Sequence, residues 1–442
     1  MILALATICT IVSVVGLIIS PYWGILFTLM AKPIIDVTWN CSFGGVNLLE
    51  IVGIAFPLLL LPRLSARCQS VSINNEIRWL AIGYLASYSM GSVTLALHGN
   101  HHLLGELLLR SLNGYLGFFL FACFYQDRKG FKILLLSLLI AGIFPVVMGL
   151  YQSATGIIWQ QRQTVGLIRR VGLYHDGFNM RLYGFQTLAV ILLYRSCFTP
   201  ARKFWDLLLF AYAVGWLYVV FNLYSKAANL ILVVWWITWS ILRSKLHYLL
   251  WGSISLGVLW VVPGSPIRQA LETLFSKEIA FSSGDLEDNR RVLAGRGFIW
   301  EQCWENWKRQ DPEHKILGTG ASPGTHNEFL RILFSAGLLG LIINIVVLTG
   351  TCLVLLKLIR SRGSAVDIIA LMVFQMWLVD CTGLHPGLYP TYQWFVWGII
   401  GLAIGSTQRV HKVAVTNVPN APRWPSRIEK ELVGHNFLGY ES

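Results

Sequence analysis

The stretch Gly318-Thr-Gly-Ala-Ser-Pro-Gly-Thr-His326-Asn327-Glu-Phe-Leu-Arg-Ile-Leu-Phe-Ser-Ala-Gly337-Leu-Leu-Gly340 passes directly from a polar loop into an apolar helix. The loop closes the one long polar segment of a chain otherwise built of apolar runs. Asn327 stands where a helix cap is expected, and Ala336 with Gly340 forms a small-xxx-small step that lets helices approach closely. A titratable ring, His326, is thereby placed at the mouth of a membrane helix. Backbone N–H groups at a helix start favour anions, so the loop is a candidate phosphate holder.

Working outward, the same contrast governs the whole chain. Of 442 residues, 55% are hydrophobic and 13% charged, whereas soluble domains carry about 25% charged residues. The balance indicates an all-α polytopic membrane protein. Runs of about 17–25 apolar residues can span a bilayer as helices. They lie near 2–20, 22–38, 47–62, 79–97, 103–125, 131–151, 182–197, 205–223, 227–242, 246–263, 327–357, 366–381 and 391–407. Ser20-Pro21 separates the first two weakly, so twelve or thirteen spans are expected. The first run has neither a basic n-region nor a small-residue cleavage site, so no cleavable signal peptide is expected. The chain divides into spans over 1–263, a polar loop over 264–326, three last spans over 327–407 and a polar, basic tail over 408–442. The eight cysteines show no C-x-x-C spacing and read as small core residues.

Basic residues set the orientation. From residue 62 onward, alternate loops hold Arg63, Arg67 and Arg78; Arg128, Lys129 and Lys132; Arg195, Arg202 and Lys203; Arg243 and Lys245; and Lys357, Arg360 and Arg362. These loops and the tail are expected in the cytoplasm. The opposite face then carries 98–102, 152–181, 224–226, 264–326 and 382–390. The basic residues form no single stripe, which argues against a nucleic-acid partner. No internal repeat is visible.

Cations on the outer face run against the orientation bias. The 152–181 loop holds Arg162, Arg169, Arg170 and Arg181 against one acid, Asp176. Either they contact headgroups and carboxylates, or they hold an anionic ligand. Residues 289–310 read as an amphipathic helix with Leu293, Trp300, Cys303, Trp304 and Trp307 on one stripe. Arg296 falls inside that stripe, while Arg291, Glu301, Glu305 and Arg309 point away. A buried charge needs a partner, which is a carboxylate or a phosphate gripped bidentately. Glu106 with Arg110 reads as a structural pair or as part of a substrate path, and Lys32 with Asp36 as a local pair. Lys226 lies in the short turn Tyr224-Ser-Lys-Ala, as a topology residue or a ligand. His101 and His102 read as loop histidines.

At these residues the chain resembles the O-antigen polymerase and ligase superfamily of bacterial membrane glycosyltransferases. The likeness is clearest over 289–345: Arg296 then Trp300, Leu317-Gly-Thr-Gly320, His326-Asn327, nine residues, and Gly337-x-x-Gly340. Arg170-Val-Gly-Leu-Tyr-His-Asp-Gly-Phe-Asn179 is similar to the family's Arg-containing outer loop, with Gly177-Phe178 where Pro is common. Tyr224-Ser-Lys226 is similar to its Ser-Arg turn, with Lys for Arg.

The resemblance implies a GT-C-type fold in the bacterial inner membrane, with one large periplasmic loop capping a cavity and a cytoplasmic C-terminus. It implies an undecaprenyl diphosphate-linked oligosaccharide donor and inverting transfer without metal or other cofactor. Catalytic roles then fall to Arg296 and to His326, which acts as base, as phosphate ligand or as both in turn, and diphosphate binding to Arg170, Arg169, Lys226 and Asn327. Polymerases extend a lipid-linked acceptor; ligases use lipid A-core and often place a second histidine before the His-Asn pair. Thr325 there, and Glu328 after, favour the polymerase over the ligase or a lipid-linked sugar transporter. Membrane lipids and a chain-length regulator are the further partners expected.

Overall fold

The computed structural model describes residues 1–43, 45–70, 73–198, 203–261, 265–321 and 323–405. The basic tail read as a cytoplasmic extension lies outside the described residues. Among the described residues, each apolar run of the sequence forms helix. The chain begins with α1 (Ile2–Ile19), α2 (Pro21–Ile35), α3 (Leu48–Ser70), α4 (Asn75–Ser89), α5 (Gly91–Leu97) and α6 (His101–Phe124). It continues with α7 (Arg128–Ala141), α8 (Ile143–Thr155), α9 (Gly177–Cys197), α10 (Lys203–Phe221), α11 (Lys226–Leu242) and α12 (Leu246–Val261). Short helices α13 (Pro266–Leu274), α14 (Ser276–Ser282), α15 (Val292–Lys308) and α16 (Pro312–Leu317) fill the long polar segment. The chain returns through α17 (Glu328–Ser361), α18 (Ala365–Cys381) and α19 (Pro390–Gly405). Two ribbons complete it: β1 (Ser42–Phe43) pairs with β2 (Val46–Asn47), and β3 (Gln163–Thr164) with β4 (Leu167–Ile168), both antiparallel.

Polar residues between the runs end and start these helices. Side chains of Asn74, Asn100, Asp127, Asp176, Ser225 and Asn327 each accept a backbone N–H of the helix that follows, and Ser364 with Asp367 forms a capping box. Pro21 at the first position of α2 separates it cleanly from α1.

The expectation of twelve or thirteen spans holds for helices, not for full-length spans. Among the described residues, six segments are long and apolar enough to cross a membrane: α1, α3, α6, α7 with α8, α10 and α17. The pair α4 and α5, bent by 42°, makes a seventh. Helices α2, α11, α12, α18 and α19 run 15 to 17 residues. At about 1.5 Å per residue they fall short of a hydrocarbon core of about 30 Å. Burial explains the shortness in one case: α19 is covered from Thr391 to Gly405, so the bundle rather than lipid surrounds it. Its Trp397 stacks on Phe118 of α6 at 4.6 Å, and its Trp394 on Phe56 of α3 at 3.8 Å.

The helices alternate between two ends. At one end the Arg63 guanidinium holds the carbonyls of Leu17 and Ile18, Arg195 pairs with Asp206, Lys357 with Glu76, and Arg362 reaches the Ala403 carbonyl. This is the Lys/Arg-rich end read from the sequence. At the other end Trp39 meets His175, His98 stacks on His314, and residues 265–327 lie against the turns at 223–226 and 382–389.

Among the described residues, three buried cations each belong to a set of three. Lys32 pairs with Asp36, which accepts the Tyr183 hydroxyl at 2.5 Å. Arg181 pairs with Asp380, which accepts the Tyr392 hydroxyl at 2.5 Å. Arg331 pairs with Glu328 at 2.6 Å, and Glu328 accepts the Tyr88 hydroxyl at 2.6 Å. Each set is a cation, a carboxylate and a phenol, all buried, so the ionic partners are both neutralised and hydrogen-bonded.

Candidate functional site: a cationic cluster at one end of the bundle

The site is built on a kink. Gly337 breaks α17 with φ 70° and ψ −174°, a conformation open to glycine. The break frees the carbonyls of Phe334 and Ser335 from their helical donors. The Gly318-Thr-Gly320 turn replaces them: Thr319 N–H donates to the Phe334 carbonyl at 2.9 Å, and Gly320 N–H to that of Ser335 at 3.0 Å. A Cβ on Gly318 or Gly337 would collide with the opposing backbone, and one on Gly91 with the Ser335 carbonyl. The glycines of the motif are thus the fit between loop and kink. The N–H groups of Thr319 and Gly320 are thereby taken up by the carbonyls of the kinked helix.

The turn leads to Thr325, which is buried, and to His326, whose φ of +48° is left-handed. Such a conformation costs a non-glycine residue about 1 kcal/mol or more and persists where neighbours enforce it. Here the Trp300 indole donates to the Thr325 carbonyl at 3.1 Å, and the Thr325 hydroxyl donates to the Asn327 carbonyl at 2.8 Å. Asn327 caps α17 through the Leu330 N–H at 3.1 Å. Its carbonyl and side chain hold the turn.

Helix α15 lies beside this turn, its Trp300 indole reaching the Thr325 carbonyl. Ile299, Trp300, Cys303 and Trp307 are half-buried, and Arg291, Glu301, Glu305 and Arg309 are exposed. Trp304 departs from the pattern: it is exposed, stacked on Trp307 at 5.1 Å. Arg296 is half-buried, with its guanidinium against Gly383 in the turn after α18.

A hairpin brings the second group of cations. Val165 and Gly166, with φ of +49° and +78°, form the two-residue turn between β3 and β4. The ribbon places Arg162 and Arg169 at its open end, joined by Arg169 N–H to Arg162 carbonyl at 2.8 Å. Arg169 donates to the Leu223 carbonyl at 2.8 Å and lies against Gly177; Arg162 donates to the His175 carbonyl at 2.8 Å.

These groups share one field. Burial first, and then Arg181, lowers the Arg169 pKa, with Arg296 and Arg162 adding and Asp176 opposing. Burial and then Arg181 lower that of Arg296. His326 is open to solvent on one side; enclosure of the rest and then Arg296 hold its pKa below the ordinary histidine value, with Asp176 opposing. Among the described residues no carboxylate is ion-paired with Arg162, Arg169 or Arg296. Asp176, whose charge bears on Arg169, caps α9.

Of the residues expected in the site, the structure brings Arg296, Arg169 and His326 together. Arg170 is not placed in that group: its guanidinium donates to the Gln152 carbonyl near the end of α8 at 3.2 Å. Lys226 pairs with Glu278 of α14 and lies 5.4 Å over the Phe275 ring, so it ties α11 to the polar segment. His101 and His102 open α6 rather than lying in a loop. Glu106 pairs with Arg110 and Lys32 with Asp36, as read.

Sequence reading missed His385. Its ring lies parallel to that of His326, centroids 5.9 Å apart, and its Nε2 is 2.7 Å from the Thr325 hydroxyl. Burial lowers its pKa to about 4; Arg331, His326 and Arg296 add to the shift and Glu328 opposes it. A signal was present: His385 and Tyr389 are the titratable side chains of the 382–390 turn.

Comparison with protein-family models and with curated proteins gives no match for this chain.

Proposed function

We propose that this chain is a GT-C-type membrane glycosyltransferase, a polymerase of O-antigen or exopolysaccharide repeat units. It moves a glycan from undecaprenyl diphosphate to a lipid-linked acceptor on the periplasmic face of the bacterial inner membrane. One observation carries the reading. Three guanidiniums, Arg162, Arg169 and Arg296, gather with His326 without a paired carboxylate, whereas the cations inside the bundle are matched. A cluster of like charges on a protein that neutralises its other buried cations suits a dianionic ligand.

The chemistry follows. Attack by an acceptor hydroxyl on the anomeric carbon breaks its bond to the diphosphate, and charge develops on the leaving oxygen. Arg296 and Arg169 stabilise that charge, and their partly dehydrated setting strengthens each interaction. His326 stands beside Arg296 as a phosphate ligand. Gly337 and the Gly318–Gly320 turn hold His326 and Asn327 in place, which accounts for the motif spacing. The Lys/Arg-rich end lies opposite, which supports a cytoplasmic assignment for that end by the positive-inside rule.

The test uses purified protein in nanodiscs and lipid-linked repeat units extracted from cells that lack the chain. The expected products are longer lipid-linked oligomers and free undecaprenyl diphosphate, with no lipopolysaccharide present. A strict need for lipid A-core as acceptor would assign the ligase reaction. Movement of the lipid-linked sugar with no glycosidic bond broken would assign transport and overturn the enzyme.

A further inference from the structure

We propose that His385, through Nδ1, accepts the proton of the acceptor hydroxyl, while His326 serves the diphosphate. The inference rests on the glycosyl-transfer reading and divides the work between two imidazoles that lie side by side.

The hydrogen-bond network fixes the ring. The Thr325 hydroxyl lies 2.8 Å from the Asn327 carbonyl, which can only accept, so the hydroxyl proton points there. The Thr325 oxygen then accepts from its other neighbours, the Asn327 N–H at 3.3 Å and His385 Nε2 at 2.7 Å. His385 therefore carries its proton on Nε2, and Nδ1 keeps a free lone pair. This is the arrangement a general base needs: one nitrogen anchored, the other available.

The surroundings keep the ring neutral. Glu328 would protonate a neighbouring imidazole, but it is bound to Arg331 and to the Tyr88 hydroxyl. Burial and the guanidiniums hold the His385 pKa down. Once a diphosphate occupies the cluster, its negative charge raises the proton affinity of the ring, so the base strengthens only when the donor is bound. His326 differs. Among the described residues no hydrogen bond anchors its ring, it faces solvent, and the Arg296 charge bears on it. That suits a ligand to phosphate oxygens.

The step balances without any further reactant. The acceptor oxygen bonds to the anomeric carbon as its proton passes to His385 Nδ1. The bond from that carbon to the diphosphate oxygen breaks, and the electron pair leaves with the diphosphate. The proton then passes from His385 to water.

The experiment compares wild type with His385→Asn and Thr325→Val, using the extracted lipid-linked units for turnover and farnesyl diphosphate as a binding probe. His385→Asn is expected to lower transfer by about 10²-fold or more while probe affinity stays within about twofold. Thr325→Val, which frees the ring to change tautomer, is expected to lower transfer by about fivefold to tenfold, again without weakening the probe. Unchanged transfer by His385→Asn, or a loss of probe binding as large as that of Arg296→Ala, would overturn the role. Probe binding by His385→Asn also reports that the variant is folded. Absence of transfer by the wild type would instead remove the glycosyl-transfer reading itself.

Discussion

Two populations of cations occupy this molecule, and they are treated in opposite ways. Lys32, Arg181 and Arg331 lie inside the bundle, each bound to a carboxylate that also accepts a tyrosine hydroxyl. Arg162, Arg169 and Arg296 lie at one end and meet carbonyls, an imidazole and one another. The first set is closed: its charges are satisfied within the fold and serve to join helices distant in sequence. The second set is open, and the protein spends electrostatic energy to keep it so. Arg181 shows how near the two lie, because it belongs to the closed set yet its charge bears on both Arg169 and Arg296. The contrast separates architecture from function more sharply than exposure does.

Breaking a closed set gives the largest effect on stability. Asp380→Ala leaves the Arg181 guanidinium and the Tyr392 hydroxyl in the interior without their acceptor. The expected cost is about 3–5 kcal/mol, read as a large fall in the midpoint of thermal unfolding in detergent. Adding Arg181→Met should recover most of it, since removing both charges leaves no orphan. A single variant as stable as wild type would show that the triad does not hold the helices.

Breaking the open set should do the reverse. Arg296→Ala is expected to lower transfer by about 10²–10³-fold and to leave the unfolding midpoint unchanged or raised, because like charges around it are relieved. Full activity in that variant would remove Arg296 from the mechanism. A loss of stability matching that of Asp380→Ala would move it into the closed set.

The legible part of this molecule was the local part. Apolar runs marked the helices, and Asn327 marked the start of one of them. Arg296 was found because a guanidinium on an apolar stripe is anomalous within a single helix. The rest depends on contacts between distant segments. Arg181 and Asp380 are 199 positions apart, and nothing in the loop around Arg181 announces that it is neutralised. Arg169 and Arg170 are indistinguishable as neighbours in sequence. The β3–β4 ribbon turns one toward the cluster and the other toward Gln152. The partners of the Gly318–Gly320 turn are likewise silent in the sequence: only the Gly337 kink shows which carbonyls its N–H groups serve.

A smaller effect separates the two imidazoles from ordinary surface histidines. His385 titrates near 4 in the folded protein and near 6.5 when unfolded. Folding thus favours its neutral form. The stability this gives is present above the unfolded pKa and is lost as pH falls from about 6.5 toward the folded value, by at most a few kcal/mol. Unfolding midpoints measured between pH 7 and 4 should fall, and His385→Gln should flatten that slope. An equal slope in wild type and variant would mean that His385 is not held neutral by the fold.

Lys226 is the intermediate case and gives the smallest expected effect. It is paired with Glu278, but neither side chain is fully buried. As a strut, its replacement by Met should cost about 1 kcal/mol or less and change transfer little, because the ion pair is already formed without any ligand. As a member of the open set, it would release Glu278 when the donor binds, and Lys226→Met would then weaken farnesyl diphosphate binding. Glu278→Gln separates the two: it leaves a strut slightly weaker, whereas a lysine competing between Glu278 and diphosphate would bind the probe more tightly once its carboxylate is removed. The expected result is no gain in affinity, which keeps Lys226 with the closed charges although it sits at the open end.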